Sequence, residues 1–455
     1  MQFKKIFIGS LLVLLCINAC KVGKKYQTPE LDIPNQVSFS QANDSLTIAD
    51  VEWYEMFNDT VLINYIELAL ANNQDVRIAA ARIREAMALK RMSEAPLVPS
   101  LDLYAESNRE QVEGDDLDIE HVARFELSWE LDLWGNIRWG REASIAEYFS
   151  TVEAHRAVKM ALISSVAKAY FELIASKREL EIVKETGRAR REGVHIAELR
   201  YKGGLTSETS LMQAKVEFAK TMSLIPSVER DISLTRNSLA KLLGQMPQEE
   251  MVSLSLYHQK QGAKIPVGMP SYVLKRRPDI KQAEQSLIIA NANVGVAYTD
   301  MFPKITLTAK YGNESESFEE LLKSPYSYLA GSLLAPVFSG GARRAKLKAQ
   351  KAVLDQALLE YEKVIITAFQ ETDNAILTFR KAKEIKELRI DLEKSAENYL
   401  ELAQIQYING AINYLDLLDA QRFLFDAEVS LNEAVLNELL SYVYLYKTLG
   451  GGWNS

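Results

Sequence analysis

Between Arg124 and Leu133 apolar and polar residues alternate without a break. Phe125, Leu127, Trp129, Leu131 and Leu133 fall on one side, and Arg124, Glu126, Ser128, Glu130 and Asp132 on the other. A period of two predicts a half-buried strand. Its partner is Leu97 to Glu106, where Leu101, Leu103 and Ala105 alternate with Asp102, Tyr104 and Glu106. A second pair repeats the plan. Ile305, Leu307, Ala309 and Tyr311 alternate with Lys304, Thr306, Thr308 and Lys310, and a weaker fourth strand is expected over Tyr328 to Val337. Acidic stretches, NREQVEGDDLDIE and Gly312 to Ser324, read as the exposed loops of the two hairpins.

Elsewhere the period is helical. A first helix is expected from about Asp59 to Ala95, stopped by Pro96 and Pro99. From Arg138 to Tyr201, and again from Arg343 to Tyr407, nothing interrupts a helical pattern; at 1.5 Å per residue each would span roughly 95 Å. Helices that long must lie against one another. Leu354, Leu358, Tyr361, Ile365, Ala368, Thr372, Ala375, Phe379 and Ala382 are spaced alternately by four and three, an a/d register. Alanines and a threonine make the seam thin, which suits helices packed side by side in a wall. Gly203-Gly204 and Asn409-Gly410 supply left-handed turns, and Thr206 or Ser207, and Asn413, can cap the return helices. Pro226 is expected to kink the first of these.

The two halves are copies. Asp75 maps onto Asp279 and Pro99 onto Pro303, both 204 apart; Arg138 maps onto Arg343 and Tyr201 onto Tyr407, at offsets of 205 and 206. The expected order is a leader over 1–19, an arm over 20–58 and a first repeat over 59–245. In that repeat the hairpin falls at about 97–133 and long helices at about 138–201 and 206–243. After a linker over 246–272 comes a second repeat over 273–455. Its hairpin falls at about 303–337 and its helices at about 341–407 and 413–449.

The leader carries Lys4 and Lys5 and an apolar run, Ile6 to Ile17, too short to span a bilayer. It ends Ile17-Asn18-Ala19-Cys20, which resembles a bacterial lipoprotein cleavage box with Asn18 as a departure. Cys20 is the expected lipidation site, and Lys21 after it points to outward sorting. Cys16 leaves with the leader, so no thiol remains for a disulfide or thiolate metal site. Without Lys4 and Lys5 there are 51 basic residues against 61 acidic ones, which excludes nucleic acid as a natural partner. No apolar run of membrane-spanning length follows. If the chain crosses a membrane, it does so with strands. Four strands cannot close a barrel, so several chains must associate; three would supply twelve.

The stretches NANVGVAYTDMFPKITL, APVFSGGARRAKL, NYLDLLDAQRFLF and YKTLGGGW, in order and across both repeats, resemble the TolC-like outer-membrane factor family. They are most similar to its lipoprotein branch, which serves RND efflux pumps. The resemblance implies a mainly α chain with a membrane β-barrel portion. Duplicated hairpins and coiled-coil helices would build a homotrimeric tunnel with four strands per chain in a twelve-strand barrel. It implies an outer-membrane location with the helical barrel in the periplasm. It implies as partners outer-membrane lipid, a periplasmic adaptor and an inner-membrane RND pump. It implies a passive exit duct with no catalytic step.

The residues expected to matter lie at the helix tips: Gly203, Gly204 and Gly410 in the turns, and Tyr407, Asp416 and Asp419 beside them. Asp416 and Asp419 are three apart on the last helix and share a face. The resemblance implies that such acids form a cation-selective ring at the periplasmic gate. Acids at a helix start are also favoured by the dipole, by up to about 1 kcal/mol. Ser210 and Gln213 stand at the equivalent places of the first repeat, so the scaffold itself does not demand acids. Tyr407 matches a family tyrosine that helps hold the tip closed, or is a packing aromatic; the family's gate arginine falls at Ile412. His121, His155, His195 and His258 lack metal-ligand spacing, and no nucleophile elbow or phosphate-binding glycine loop is present. No cofactor or metal is expected. Two other functions fit the same residues: an outer duct for type I protein secretion, and a lipid-anchored structural protein that conducts nothing.

Overall fold

The computed structural model describes residues 21–30, 54, 57, 59–110, 118–247 and 276–451. Cys20, the expected leader, most of the expected arm, His258 and nearly all of the expected linker lie outside these residues. The elements in order are α1 (Thr60–Asn72), α2 (Gln74–Glu94), β1 (Ser100–Glu110), β2 (Asp118–Leu131), α3 (Asn136–Lys202) and α4 (Glu208–Leu242). After the linker come α5 (Pro278–Thr299), β3 (Lys304–Ser315), β4 (Pro325–Leu334), α6 (Ala342–Ile408) and α7 (Tyr414–Thr448). The repeat is visible in lengths: α3 and α6 have 67 residues each, and α4 and α7 have 35 each. Among the described residues no helix is long and apolar enough to cross a membrane.

The chain divides into two compact units. The first, whose described residues are 21–30, 80–110, 118–154 and 279–364, holds the sheet. Its four strands lie in the order β1-β2-β3-β4, each antiparallel to its neighbour. The β2–β3 ladder joins the hairpin of one repeat to that of the other. The registers place Leu101, Leu103, Phe125, Leu127, Trp129, Ile305, Leu307, Leu329 and Leu333 on one face. Many of these side chains are exposed. On the other face Glu126 pairs with Lys310 and Glu130 with Lys304, both at 3.2 Å. Arg124 pairs with Glu126 at 2.7 Å and Glu314 at 3.4 Å, and its guanidinium lies 5.1 Å from the Tyr104 ring and 5.6 Å from that of Tyr326. Gly312 stands opposite Arg124, and a Cβ there would come within 2.3 Å of the Arg124 Cα, so only glycine fits. One face is thus apolar and open, the other a network of charges. Within the described residues β1 pairs only with β2 and β4 only with β3, which leaves two margins unpaired.

Below the sheet, Asp132 caps α3 by accepting from the backbone of Ile137 and Arg138, and pairs with the Arg138 side chain at 3.0 Å. Trp139 is fully buried, and its indole N–H donates to Val22 O at 2.8 Å. Lys21 lies over the same ring and pairs with Glu142.

The second unit, whose described residues are 54, 57, 59–79, 155–247, 276–278 and 365–451, is helical. Its main core gathers Leu62, Ile66, Tyr170, Leu173, Leu239, Ile376, Tyr446 and Leu449. Of the predicted seam, Tyr361, Ile365, Ala368, Thr372, Ala375 and Ala382 are buried. Thr372 donates to Ala368 O at 2.8 Å, which satisfies its hydroxyl.

Expectations change at the first helix and at the fourth strand. The first helix is two helices, broken at Asn73. Its side chain accepts from Asp75 N at 2.9 Å, starting α2, and donates to Leu242 O at 2.9 Å. An asparagine that serves both the next helix and a distant carbonyl favours a break over continuation. The fourth strand begins at Pro325, three residues early, since Pro325 to Ser327 already pair with Tyr311 to Asn313. Pro226 stands inside α4.

Candidate functional site

The two turns of the second unit that join long helices to their return helices have the same backbone. At the first, Gly203 N donates to Leu199 O, Gly204 N to Tyr201 O and Leu205 N to Arg200 O. At the second, Asn409 N donates to Ile405 O, Gly410 N to Tyr407 O and Ala411 N to Gln406 O. Gly204 and Gly410 take the left-handed conformation, with φ of 71° and 74°. A Cβ there would strain the backbone. Gly203 is not left-handed.

Ser207 caps α4 by accepting from Ser210 N at 3.3 Å. Asn413 caps α7 in a reciprocal capping box: its side chain accepts from Asp416 N, and the Asp416 carboxylate accepts from Asn413 N, both at 3.2 Å. Asp416 therefore closes the helix start, as its position relative to Asn413 allows. Asp419 is exposed and accepts from Arg422 at 3.2 Å.

Arg422 leads inward. Its other nitrogen pairs with Glu217 of α4 at 2.6 Å. Glu217 in turn pairs with Arg190 of α3 at 3.1 Å, and Arg190 also donates to Thr221 Oγ1 at 2.5 Å. Arg190 and Glu217 are 6% and 5% exposed. One ionic network, buried at Arg190 and Glu217 and exposed at Arg422, thus ties α3, α4 and α7. The hydrogen bond from Arg422, with the charge of Arg190 beside it, holds the Glu217 carboxyl below its ordinary range. Burial holds the Arg190 guanidinium below its own.

Nearer the tip the core is apolar and aromatic: Ala197, Leu211, Ala214, Ala403, Tyr407, Tyr414, Leu417 and Leu418. Tyr407 meets Tyr414 edge-on, ring centres 5.9 Å apart. Burial pushes the Tyr414 phenol up to about 12, so it stays protonated. Arg200, in the last turn of α3, lies with its guanidinium 4.7 Å from the Tyr407 ring and makes a long bond of 3.5 Å to Tyr407 O. Beside these residues a groove of about 540 Å³ runs past Gly193, Ile196, Leu199, Gln404, Ile408 and Leu417. Ile412, where the resemblance puts an arginine, packs against the tip core.

The structure thus gathers Tyr407, Asp416, Asp419, Gly203, Gly204 and Gly410 at the ends of four helices. Sequence reasoning missed Arg190, Arg200, Glu217 and Arg422. A usable signal was a charge in an apolar seam: Arg190 stands midway between Val183 and Ala197, seven residues from each, and both are buried. Among the described residues no group of three or more His, Cys, Asp or Glu is placed to hold a metal.

Residues 65–245 and 269–451 each match the family described as "Outer membrane efflux protein". The chain belongs to this family. The family match thus falls once on each repeat of this outer membrane efflux protein. It is similar to the solvent efflux pump outer membrane protein SrpC of Pseudomonas putida, with 33% identity over 100% of this chain and 99% of that one. It is also similar to the cation efflux system protein CusC of Escherichia coli, with 30% identity over 97% of each. The solved open state of the MtrE outer membrane channel of Neisseria gonorrhoeae superimposes with a TM-score of 0.89. That match has 27% identity and covers 95% of this chain and 99% of that one. The protein is an outer-membrane efflux channel, and its fold is mainly helical with one four-stranded antiparallel sheet, as the sequence resemblance led us to expect.

Proposed function

We propose that three copies of this efflux protein join their sheets into one twelve-strand barrel and form a passive exit duct. Substrate would reach it from an inner-membrane RND pump through a periplasmic adaptor. The observation that carries this reading is the sheet. Its outer face is apolar and exposed, its inner face charged, and among the described residues both margins lack partners. In hydrocarbon each unpaired backbone group costs several kcal/mol, so a lone sheet is not viable there. Twelve strands close without a margin and turn the charged face to an aqueous lumen.

Lipid at Cys20 anchors the subunit. Tyr407 belongs to the closing contacts of the periplasmic tip, and Gly203, Gly204 and Gly410 shape its turns. Asp416 and Asp419, half-buried and exposed on one face of α7, contribute six carboxylates to a cation-preferring ring in the trimer. Opening is a shift in population, with the return helices moving outward when adaptor and pump favour that state.

The test is reconstitution of the full-length protein into planar bilayers, with its mass in detergent measured in parallel. A trimer with discrete conductance steps is expected. An intact trimer that conducts nothing leaves a lipid-anchored structural protein. A stable monomer in lipid overturns the closed barrel.

A further inference from the structure

Within the first unit α5 packs on the start of α3. Asn136 donates to Val296 O, Thr299 Oγ1 and the Asp300 carboxylate at 3.2, 2.9 and 3.0 Å. Trp139 and Ala146 are buried, and a Cβ on Gly295 would come within 2.3 Å of the Trp139 ring. The positions along these faces, Trp139, Ala143 and Ala146 on α3 and Ile288, Ala292 and Gly295 on α5, carry no charge. By the offsets of the repeat, α6 stands for α3 and α2 for α5. α3 follows β2 and α5 precedes β3, the strands of the inner ladder; α6 follows β4 and α2 precedes β1, the strands of the two margins. A joint of α2 on α6 therefore forms where the margins of neighbouring subunits join. There Arg344, Lys348 and Lys351 replace Trp139, Ala143 and Ala146, while Arg84, Ala88 and Arg91 replace Ile288, Ala292 and Gly295. All six are exposed, each set on one helix face, and the five cations make no ion pair among the described residues. The next acid on the α6 face, Asp355, lies a turn beyond Lys351. Five like charges repel across a helix joint, so the joint needs a counter-anion.

The depth of the joint names the anion. Arg343 and Lys346 of α6 bond to Asp300, four residues before β3 begins at Lys304, and α2 ends at Glu94, six residues before β1 begins at Ser100. With the sheet in hydrocarbon, the joint lies in the headgroup layer at its lower end. Leu101 and Leu103 of β1 and Leu329 and Leu333 of β4, exposed on the apolar face, offer a surface to acyl chains. We infer that each joint between subunits binds the phosphate of an anionic phospholipid, held by Arg344, Lys348 and Lys351 of one subunit and Arg84 and Arg91 of the next. An arginine fork matches two phosphate oxygens at once, and basic pockets between helices favour anionic headgroups. The inference rests on the trimeric reading of the sheet.

The experiment titrates the full-length trimer, in uncharged detergent, with phosphatidylglycerol or with phosphatidylcholine of the same chains, and counts bound lipid by native mass spectrometry. One phosphatidylglycerol per joint is expected, bound at least about tenfold tighter than phosphatidylcholine, with the preference fading as salt rises. Arg344→Gln, Lys348→Gln and Lys351→Gln together should remove most of that preference. Arg84→Gln with Arg91→Gln should lower it about fivefold or more, because the site is shared between subunits. Arg188→Gln, Lys202→Gln and Lys220→Gln together, exposed cations of the second unit, should leave it unchanged. The wild-type titration needs no variant: equal binding of the two lipids by an intact trimer overturns the site. A preference untouched by the α2 pair overturns the shared joint. Displacement of phosphatidylglycerol by inorganic phosphate at matched concentration overturns the lipid as its occupant. A protein that stays monomeric in detergent and in lipid would instead remove the trimer, and the joint with it.

Discussion

The two tips of the helical unit share a backbone and differ in almost everything else. Tyr201 and Tyr407 are equivalent, yet Tyr201 is 41% exposed and Tyr407 only 7%. Ser210 stands where Asp416 does, Gln213 where Asp419 does, and Glu217 where Phe423 does. The shared glycine turns and caps show what the fold requires. The rest shows what was added: at the second tip an aromatic pair and acids, and beside the first a buried glutamate that receives an arginine from α7. A duplicated scaffold therefore separates structural need from acquired chemistry inside a single chain.

The sharpest break between the copies should be Glu217→Ala against Phe423→Ala. The first leaves Arg190 buried without its acid and should cost about 3–5 kcal/mol. The second removes an exposed ring and should cost under about 1 kcal/mol. Denaturant midpoints of the trimer check both. Because the Glu217 carboxyl is held low, its contribution is present above the ordinary glutamate range and is lost as pH falls through the depressed value. In Glu217→Gln that acid limb should flatten. Glu428 works in the opposite sense: burial raises it to about 7, so the folded protein binds its proton more tightly. Stability should therefore decline as pH rises from the ordinary glutamate range toward 7, and Glu428→Gln should remove that decline.

Next in size, Tyr407→Ala should cost about 3 kcal/mol and Tyr201→Ala under about 1 kcal/mol, by the same measurement. Equal costs would mean that the burial difference carries no energy. At the level of conduction, replacing Asp416 and Asp419 together with alanine should lower cation preference and weaken block by multivalent cations. Replacing Ser210 and Gln213 should change neither, as read from reversal potentials in a salt gradient. The smallest contrast should be between the caps: Asn413→Ala and Ser207→Ala should each cost about 1 kcal/mol. A large gap between these two would show that the tips are less alike than their hydrogen bonds.

Much of the fold was legible because it is written in periods. The alternation from Arg124 onward lies in β2, and the register from Leu354 to Ala382 lies in α6. β4 was faint because Pro325, Ser327 and Gly331 interrupt its apolar side. The break at Asn73 was missed because its cause, Leu242 O, lies 169 residues away. The tip site divides the same way. Gly204, Gly410 and Asn413 act locally, so their spacing revealed them. Arg190, Glu217 and Arg422 act across 27 and 205 residues, and Arg200 reaches Tyr407 across 207. No local pattern encodes such pairings. Only the oddity of a charge among apolar seam positions betrays them.

The bare margins of the sheet have one more consequence. β1 and β4 run in opposite directions, so subunits placed side by side with β4 of one against β1 of the next continue the up-and-down alternation without a fault. A margin meeting its own copy in antiparallel fashion would send the hairpin turns of the two subunits to opposite sides of the bilayer. The ring can grow in one sense only. How many subunits it takes is decided by the bend each contributes, because every joint is the same joint.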